Sequence, residues 1–169
     1  MGVNVHSQNI FNFGGCINIQ YPETFEVTKD TFIVEEERWE CRLAFKSHPV
    51  YWADFEMVQW NEGVNSKSSE KLQAIVDDVY SKFDHTYGEE LRLASKGDEI
   101  SYYDFGDASV TQMGSADYGD EAIIVEISSI ILGDRLIIAK LIKPFLLYFK
   151  YDNDMWRIVK SLEYINSKN

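Results

Sequence analysis

The run Ala122-Ile123-Ile124-Val125-Glu126-Ile127-Ser128-Ser129-Ile130-Ile131-Leu132-Gly133-Asp134-Arg135-Leu136-Ile137-Ile138-Ala139-Lys140-Leu141-Ile142 decides the fold class. Isoleucine and valine crowd it, and β-branched side chains suit a pleated, buried surface better than a helix. Gly133-Asp134 interrupts it as a tight hairpin turn would. The reading is two long strands, Ala122–Leu132 and Leu136–Ile142, although Leu136–Leu141 alone also tolerates a short helix. Glu126, Asp134, Arg135, Lys140 and Lys143 break up the greasiest stretch, Ala122 to Phe149, which argues against a membrane span.

Downstream, Phe145–Tyr151 and Met155–Tyr164 are predicted strands joined at Asp152-Asn153-Asp154, with Pro144 at a strand start or edge. Together with the central run they form a predicted C-terminal β-meander. Upstream, Ile100–Phe105 and Ala108–Met113 read as short strands. Phe25, Val27, Phe32, Val34, Trp39, Cys41, Leu43 and Phe45 alternate with polar residues, and Phe55–Trp60 alternates again after a break at Ser47-His48-Pro49. The period changes once. Leu72, Ile75, Val76, Val79, Tyr80 and Phe83 recur at helical spacing, with Lys71, Asp77, Asp78 and Lys82 on the other face. That gives one principal amphipathic helix, about 68–84, to be packed on a sheet. Leu91 and Leu93 fit either a short helix or a strand. Residues 1–15, polar and rich in Asn and Gly, read as an irregular lead-in. The expectation is a single α+β domain over 1–169, mainly antiparallel.

The 169-residue length allows a core that needs no disulfide or metal, and two cysteines, Cys16 and Cys41, make no disulfide framework. Whether they pair is open at this level. The first fifteen residues lack Lys and Arg and any sustained apolar core, so no signal peptide is read and a cytoplasmic setting is expected. The formal net charge is −12, which disfavours nucleic acid and anionic membranes as partners and favours a basic protein.

The charge is unevenly placed. Residues 97–134 hold nine acids and no Lys or Arg; residues 135–169 hold seven bases and three acids, hence +4, which leaves −16 on residues 1–134. Tyrosines and glycines interleave the acidic block. Carboxylates steer and pair with cations, and tyrosines anchor interfaces, so Asp98, Glu99, Tyr102, Tyr103, Asp104, Asp107, Asp117, Tyr118, Asp120 and Glu121 are the candidate partner-binding residues. Solvated loops between two hairpins would have the same composition.

Catalytic and metal motifs are not legible. His6, His48 and His85 form no HxH or HExxH pattern, and there is no Gly-rich phosphate loop or Gly-x-Ser-x-Gly elbow. Asp104-x-x-Asp107 and Asp117-x-x-Asp120-Glu121 lack the alternating oxygen spacing of a calcium loop. Cys16 or Cys41 with a histidine would make a nucleophile pair only by tertiary accident, and Asp84-His85 reads as a helix-end charge partner. Trp39 and Trp60 sit in strand patterns; Trp52, after His48-Pro49-Val50-Tyr51, is either a ligand lip or a loop over the core. No cofactor, metal or catalytic residue is assigned, and a non-enzymatic protein is expected.

Two resemblances bear on function. The whole profile, small, acidic, single-domain and motif-free, resembles the immunity proteins of bacterial toxin systems. That resemblance implies a cytoplasmic inhibitor that neutralises a basic toxin or nuclease domain. The run Leu146-Leu147-Tyr148-Phe149-Lys150-Tyr151-Asp152-Asn153-Asp154-Met155-Trp156-Arg157-Ile158-Val159 resembles the last hairpin of NTF2-like domains, with residues 122–164 as their closing meander. It implies a small-molecule-binding protein or enzyme. A structural subunit that oligomerises through sheet edges is the third expectation.

Overall fold

The computed structural model describes residues 8–61, 67–88, 91–102 and 105–165, with only the backbone of 148–153 described. Ten strands and three helices follow in the order β1 (Gln8–Phe13), β2 (Ile17–Pro22), β3 (Phe25–Ile33), β4 (Arg38–Phe45), β5 (Trp52–Gln59), α1 (Ser69–Ser81), α2 (Phe83–Tyr87), β6 (Arg92–Ser101), β7 (Ala108–Tyr118), β8 (Glu121–Leu132), β9 (Arg135–Pro144), α3 (Phe145–Lys160) and β10 (Glu163–Tyr164). Seven strands form one sheet in the order β3-β4-β5-β9-β8-β7-β6, and β1-β2-β10 form a second. Every neighbouring pair is antiparallel. The fold is α+β and mostly antiparallel sheet.

The strands β8 and β9 are the middle of this sheet. Their register runs from Ile123 opposite Pro144 to Leu132 opposite Arg135, closed at Gly133-Asp134. Nearly every residue of both is buried, which an antiparallel strand shows only when both sheet faces are covered. On one face Ile123, Val125, Ile127, Ile131, Leu136 and Ile142 pack under α1 and α2 with Leu72, Val76, Tyr80 and Phe83. On the other, Ile130, Ile137, Ala139 and Leu141 pack with Phe13, Ile17 and Ile19 of the small sheet and Met155, Ile158 and Val159 of α3. Glu126 and Lys143 lie on this second face, wholly buried, on diagonal positions of the ladder. At the strand turn the ring of Tyr164 lies on Gly133, whose φ is +61°.

The helix α1 begins at Ser68, whose hydroxyl accepts from the Lys71 N–H at 3.3 Å. Its buried Leu72, Val76 and Tyr80 recur at spacing four. Two sheet contacts fix its height: Ser129 Oγ donates to the Leu72 carbonyl at 2.8 Å, and Tyr80 Oη donates to the Gln112 carbonyl at 2.9 Å.

The largest departure from the sequence reading is the C-terminus. Residues 145–160 are helix, where two strands of a meander were expected, and the backbone at Asp152-Asn153-Asp154 is helical. Met155, Ile158, Val159 and Leu162 fall at helical spacing and face the sheet, a period that the aromatic run 145–151 obscures. Pro144, at φ −60°, closes β9 and opens α3, a place where its missing N–H costs nothing. Hence α1 is not the one principal helix. Without a last hairpin the resemblance to an NTF2-like closing meander fails too. Residues 8–13, expected to be irregular, are β1, paired with β2 from Gln8–Pro22 to Phe13–Ile17. Leu93 belongs to a strand, β6, which ends at Ser101.

Gly14 turns β1 into β2 at φ +58°, and a Cβ there would meet the Met57 methyl at 2.3 Å and the Trp39 ring at 3.1 Å; neighbouring Gly15, at φ +73°, has open space around it. Gly15→Ala carries strain alone and should cost about 1 kcal/mol, whereas Gly14→Ala adds overpacking and should cost about 3 kcal/mol. Urea unfolding of both variants checks the difference; equal losses would mean that the close packing at Gly14 is not real.

Candidate functional site

The helices α1 and α2 cover only the β6–β8 side of their sheet face. Over β4 and β5 that face is open, and a groove runs along it between the sheet and the helix ends, bordered by Leu136, Ile138 and Lys140 of β9. The groove holds a cavity of about 260 Å³ between Arg38, Glu56, Val58, Ile138, Lys140 and the Val79–Lys82 end of α1. A smaller one, about 140 Å³, lies beside Arg42, Asp54 and Tyr87.

Strand alternation supplies the floor. In β4 the even residues Arg38, Glu40 and Arg42 point into the groove while Cys41 and Leu43 enter the core; β5 repeats this with Asp54 and Glu56. Glu40 and Glu56 are directly opposite each other, as are Arg42 and Asp54, and Lys140 is opposite Asp54 on β9. Two like charges face one another and are held by cations. Arg38 reaches Glu40 at 2.7 Å, Glu36 at 3.0 Å and Glu56 at 3.6 Å; Lys29 pairs with Glu40 and Lys140 with Glu56. Arg42 grips Asp54 with two bonds, 2.6 and 2.8 Å, and its guanidinium stacks 4.4 Å above the Trp52 ring. Tyr87 Oη donates to the same carboxylate at 2.8 Å.

These contacts set the protonation states. Burial opposes the charge on Glu40, but the Lys29 hydrogen bond and the positive field of Lys29, Arg38 and Lys140 outweigh it and hold the carboxyl below its usual range. Burial, then the Asp54 charge, pushes the Tyr87 phenol well up, so it keeps its proton and donates. Burial also raises both thiols, Cys16 and Cys41, which are free and buried, leaving them poor nucleophiles. Among the described residues no group of three or more His, Cys, Asp or Glu could hold a metal.

The sequence-predicted partner-binding residues are spread along the opposite end of the sheet. Asp98 and Glu99 lie exposed in β6, in a register shift between Lys96 and Ile100. Asp117, Tyr118, Asp120 and Glu121 gather on the β7–β8 hairpin, Asp117 across from Arg92 and Glu121 3.3 Å from His48 Nε2. Asp107 sits at the far end of β7, about 30 Å from Asp117 at ordinary strand rise, where it accepts from the Gly133 N–H at 3.1 Å and lies 3.5 Å from Lys67 Nζ. Tyr102 is exposed near that end, and Tyr103 and Asp104 lie outside the described residues. One stretch of sequence thus becomes two separated acidic ends joined along β6, where Arg92 and Lys96 match Asp98 and Glu99 in number. His48 anchors its own loop, Nδ1 accepting from the Val50 N–H at 3.1 Å, and Trp52 is buried in the core.

The groove was missed in the sequence. Its signal was present as charges at every second position, Arg38-x-Glu40-x-Arg42 and Asp54-x-Glu56, the polar half of the alternating pattern.

No family model matches the chain, and no curated protein does. Solved structures do. The solution structure of cyanobacterial PsbP (CyanoP) from Synechocystis sp. PCC 6803 aligns over 98% of this chain and 96% of that chain, with TM-score 0.65 and 12% identity. A crystal structure from Bacteroides thetaiotaomicron VPI-5482 aligns over 98% of this chain and 51% of that chain, with TM-score 0.63 and 9% identity. At these identities the likeness is one of fold. It points to a PsbP-like scaffold and overturns the reading as a toxin-neutralising immunity protein or antitoxin, which rested on charge, size and missing motifs, features many folds share. The NTF2-like alternative falls with it.

Glu40 ties the groove to pH. Because its folded acidity is strengthened, its pairs stabilise the fold above the unfolded carboxyl range, about pH 4.3, and that contribution disappears as pH falls through the lower folded value. Glu40→Gln should cost about 1 kcal/mol at pH 7, partial exposure of Lys29 and Arg38 limiting the loss, and the gap to the native protein should narrow as the pH falls below the unfolded carboxyl range. Unfolding curves from pH 7 to pH 3 test this; a gap as wide at pH 3 as at pH 7 contradicts it.

Proposed function

We propose that this chain is a non-catalytic docking domain on a PsbP-like scaffold, and that the β6 edge with the β7–β8 hairpin receives a basic protein. The carrying observation is how charge is shared. In the groove, carboxylates and cations neutralise one another in the Lys29–Glu40–Arg38–Glu56–Lys140 and Arg42–Asp54 pairs. At the β6 side, Asp98, Glu99, Asp117 and Asp120 are in no ion pair among the described residues. The cations of β6 are Arg92 and Lys96, and Lys96 is engaged by Asp77, so the acids of this edge and hairpin outnumber its bases and their field accelerates encounter with a cationic surface.

The non-catalytic part of the reading is supported by the same chemistry. The groove's acids and bases hold each other, the thiols are buried and protonated, and His48 is engaged through both ring nitrogens. Two free thiols suit a reducing, cytoplasmic setting. Both outer strands of the large sheet carry register shifts, β3 between Val27 and Lys29 and β6 between Lys96 and Ile100, which blunt edge-to-edge pairing and leave the edge to side-chain recognition.

Fluorescein-labelled hexalysine is a suitable probe. Its anisotropy should report binding that weakens steeply between low and physiological salt. The variant Asp98→Asn, Glu99→Gln, Asp117→Asn, Asp120→Asn should bind at least about tenfold more weakly. A variant with the same charge change elsewhere, Glu23→Gln, Glu26→Gln, Asp30→Asn, Glu163→Gln, should lose less than about twofold. Equal losses would mean that bulk charge alone attracts the probe, and the edge would not be the docking surface.

A further inference from the structure

At the opposite edge of the large sheet the β3–β4 hairpin exposes apolar surface on the face away from the groove. Phe32 is 40% and Val34 69% exposed. Phe32 stacks on Trp39 with ring centroids 4.6 Å apart. These three, with Glu37, Gln59 and Arg135, enclose a cavity of about 290 Å³. Strand alternation explains the side: Arg38 turns into the groove, so Trp39 turns out of it.

The hairpin is built rather than loose. A 3-10 turn, Val34–Glu36, bridges the strands and ends at Glu37 with φ +48°, the one non-glycine residue with positive φ among those described. A glutamate gains nothing intrinsic from that conformation; its N–H closes the turn by donating to the Val34 carbonyl at 3.3 Å. Beneath, Trp39 lies against Gly14, the turn of the small sheet. Arg135 at the pocket wall is held by Gln59 Oε1 at 3.0 Å and lies 3.4 Å from Asp134.

The rim tells what fits. Glu37 lines the pocket and Glu35 is exposed in the same turn, next to Val34; neither is in an ion pair among the described residues, Glu36 is drawn to the other face by Arg38, and the cation in the wall, Arg135, is offset by Asp134 at 3.4 Å. An apolar pocket with an acidic rim is complementary to an apolar side chain flanked by cations. The volume, at the bottom of the usual range for small-molecule pockets, has room for one large inserted side chain. We propose that this pocket docks a basic segment of a partner protein, which inserts a single large apolar side chain between lysines or arginines. The site is independent of the β6 edge and lies at the far side of the same sheet.

Titration of the ¹⁵N-labelled protein with acetyl-GKKFKKG-amide tests it, read from amide shifts. The expected result is saturable shifts centred on Phe32–Trp39. Two control peptides, acetyl-GKKSKKG-amide and acetyl-GEEFEEG-amide, should each shift these same amides at least about tenfold more weakly, whatever they do at the β6 edge. Val34→Ser, at an exposed position that leaves folding intact, should weaken the first peptide about tenfold, and Glu35→Gln with Glu37→Asn should flatten its salt dependence. Shifts absent from the hairpin, or unchanged affinity in Val34→Ser, would overturn the proposal. So would shifts at these amides on dilution without peptide, which would identify a second copy of this chain as the occupant. Hexalysine binding at the β6 edge is unaffected by any of these outcomes.

Discussion

Burial of the β8–β9 ladder on both faces is the constraint on which the rest of the molecule depends. Two strands this apolar cannot stand at an edge or face water. They require strands on either side and a covering layer above and below. The first need recruits β5 and β7 as neighbours; the second recruits α1 and α2 on one face and α3 with the small sheet on the other. Each layer contributes at the usual scale for apolar burial, about 25 cal/mol per Å², so neither can be lost without exposing the centre.

Coverage is incomplete where the sheet outruns its helices, and there polar chemistry appears. With α1 and α2 standing over β6–β8 and reaching β9 at Leu136 and Ile142, the same face of β4 and β5 must satisfy itself. It does so with charges at alternate positions, arranged so that the opposed Glu40 and Glu56 are separated by Arg38 and flanked by Lys29 and Lys140. Ion pairs of this exposure stabilise weakly one by one, and their connected arrangement fixes which way each side chain lies. On the other face the sheet edge ends in aromatic rather than charged residues, with Trp39 wedged between Phe32 and the Gly14 turn. The two faces of one strand, β4, thereby present two different surfaces.

Legibility in the sequence followed how local each signal was. The hairpin at Gly133-Asp134 and the helix from Ser68 were plain, because turn chemistry, an N-cap and a change of hydrophobic period are all properties of neighbouring residues. Helix α3 was not. Its aromatic first half has strand-like composition, and its helical state depends on Met155, Ile158 and Val159 reaching the small sheet. The candidate sites were less visible still: Arg42, Asp54 and Tyr87 are far apart in the chain and meet only through strand pairing.

By itself the sequence determined the class, α+β with a dominant antiparallel sheet, and the charge that any partner must match, since composition, period and turn residues act locally and charge is additive. Only the tertiary structure decided where that charge stands. Cross-strand pairing neutralised it in the groove and left acids in excess where β6 meets the β7–β8 hairpin; the same pairing divided the acidic run 97–134 between two ends of a strand and gathered Phe32, Val34 and Trp39 into a pocket. Register and layer order settle such neighbours, and both are long-range properties that no window of sequence contains.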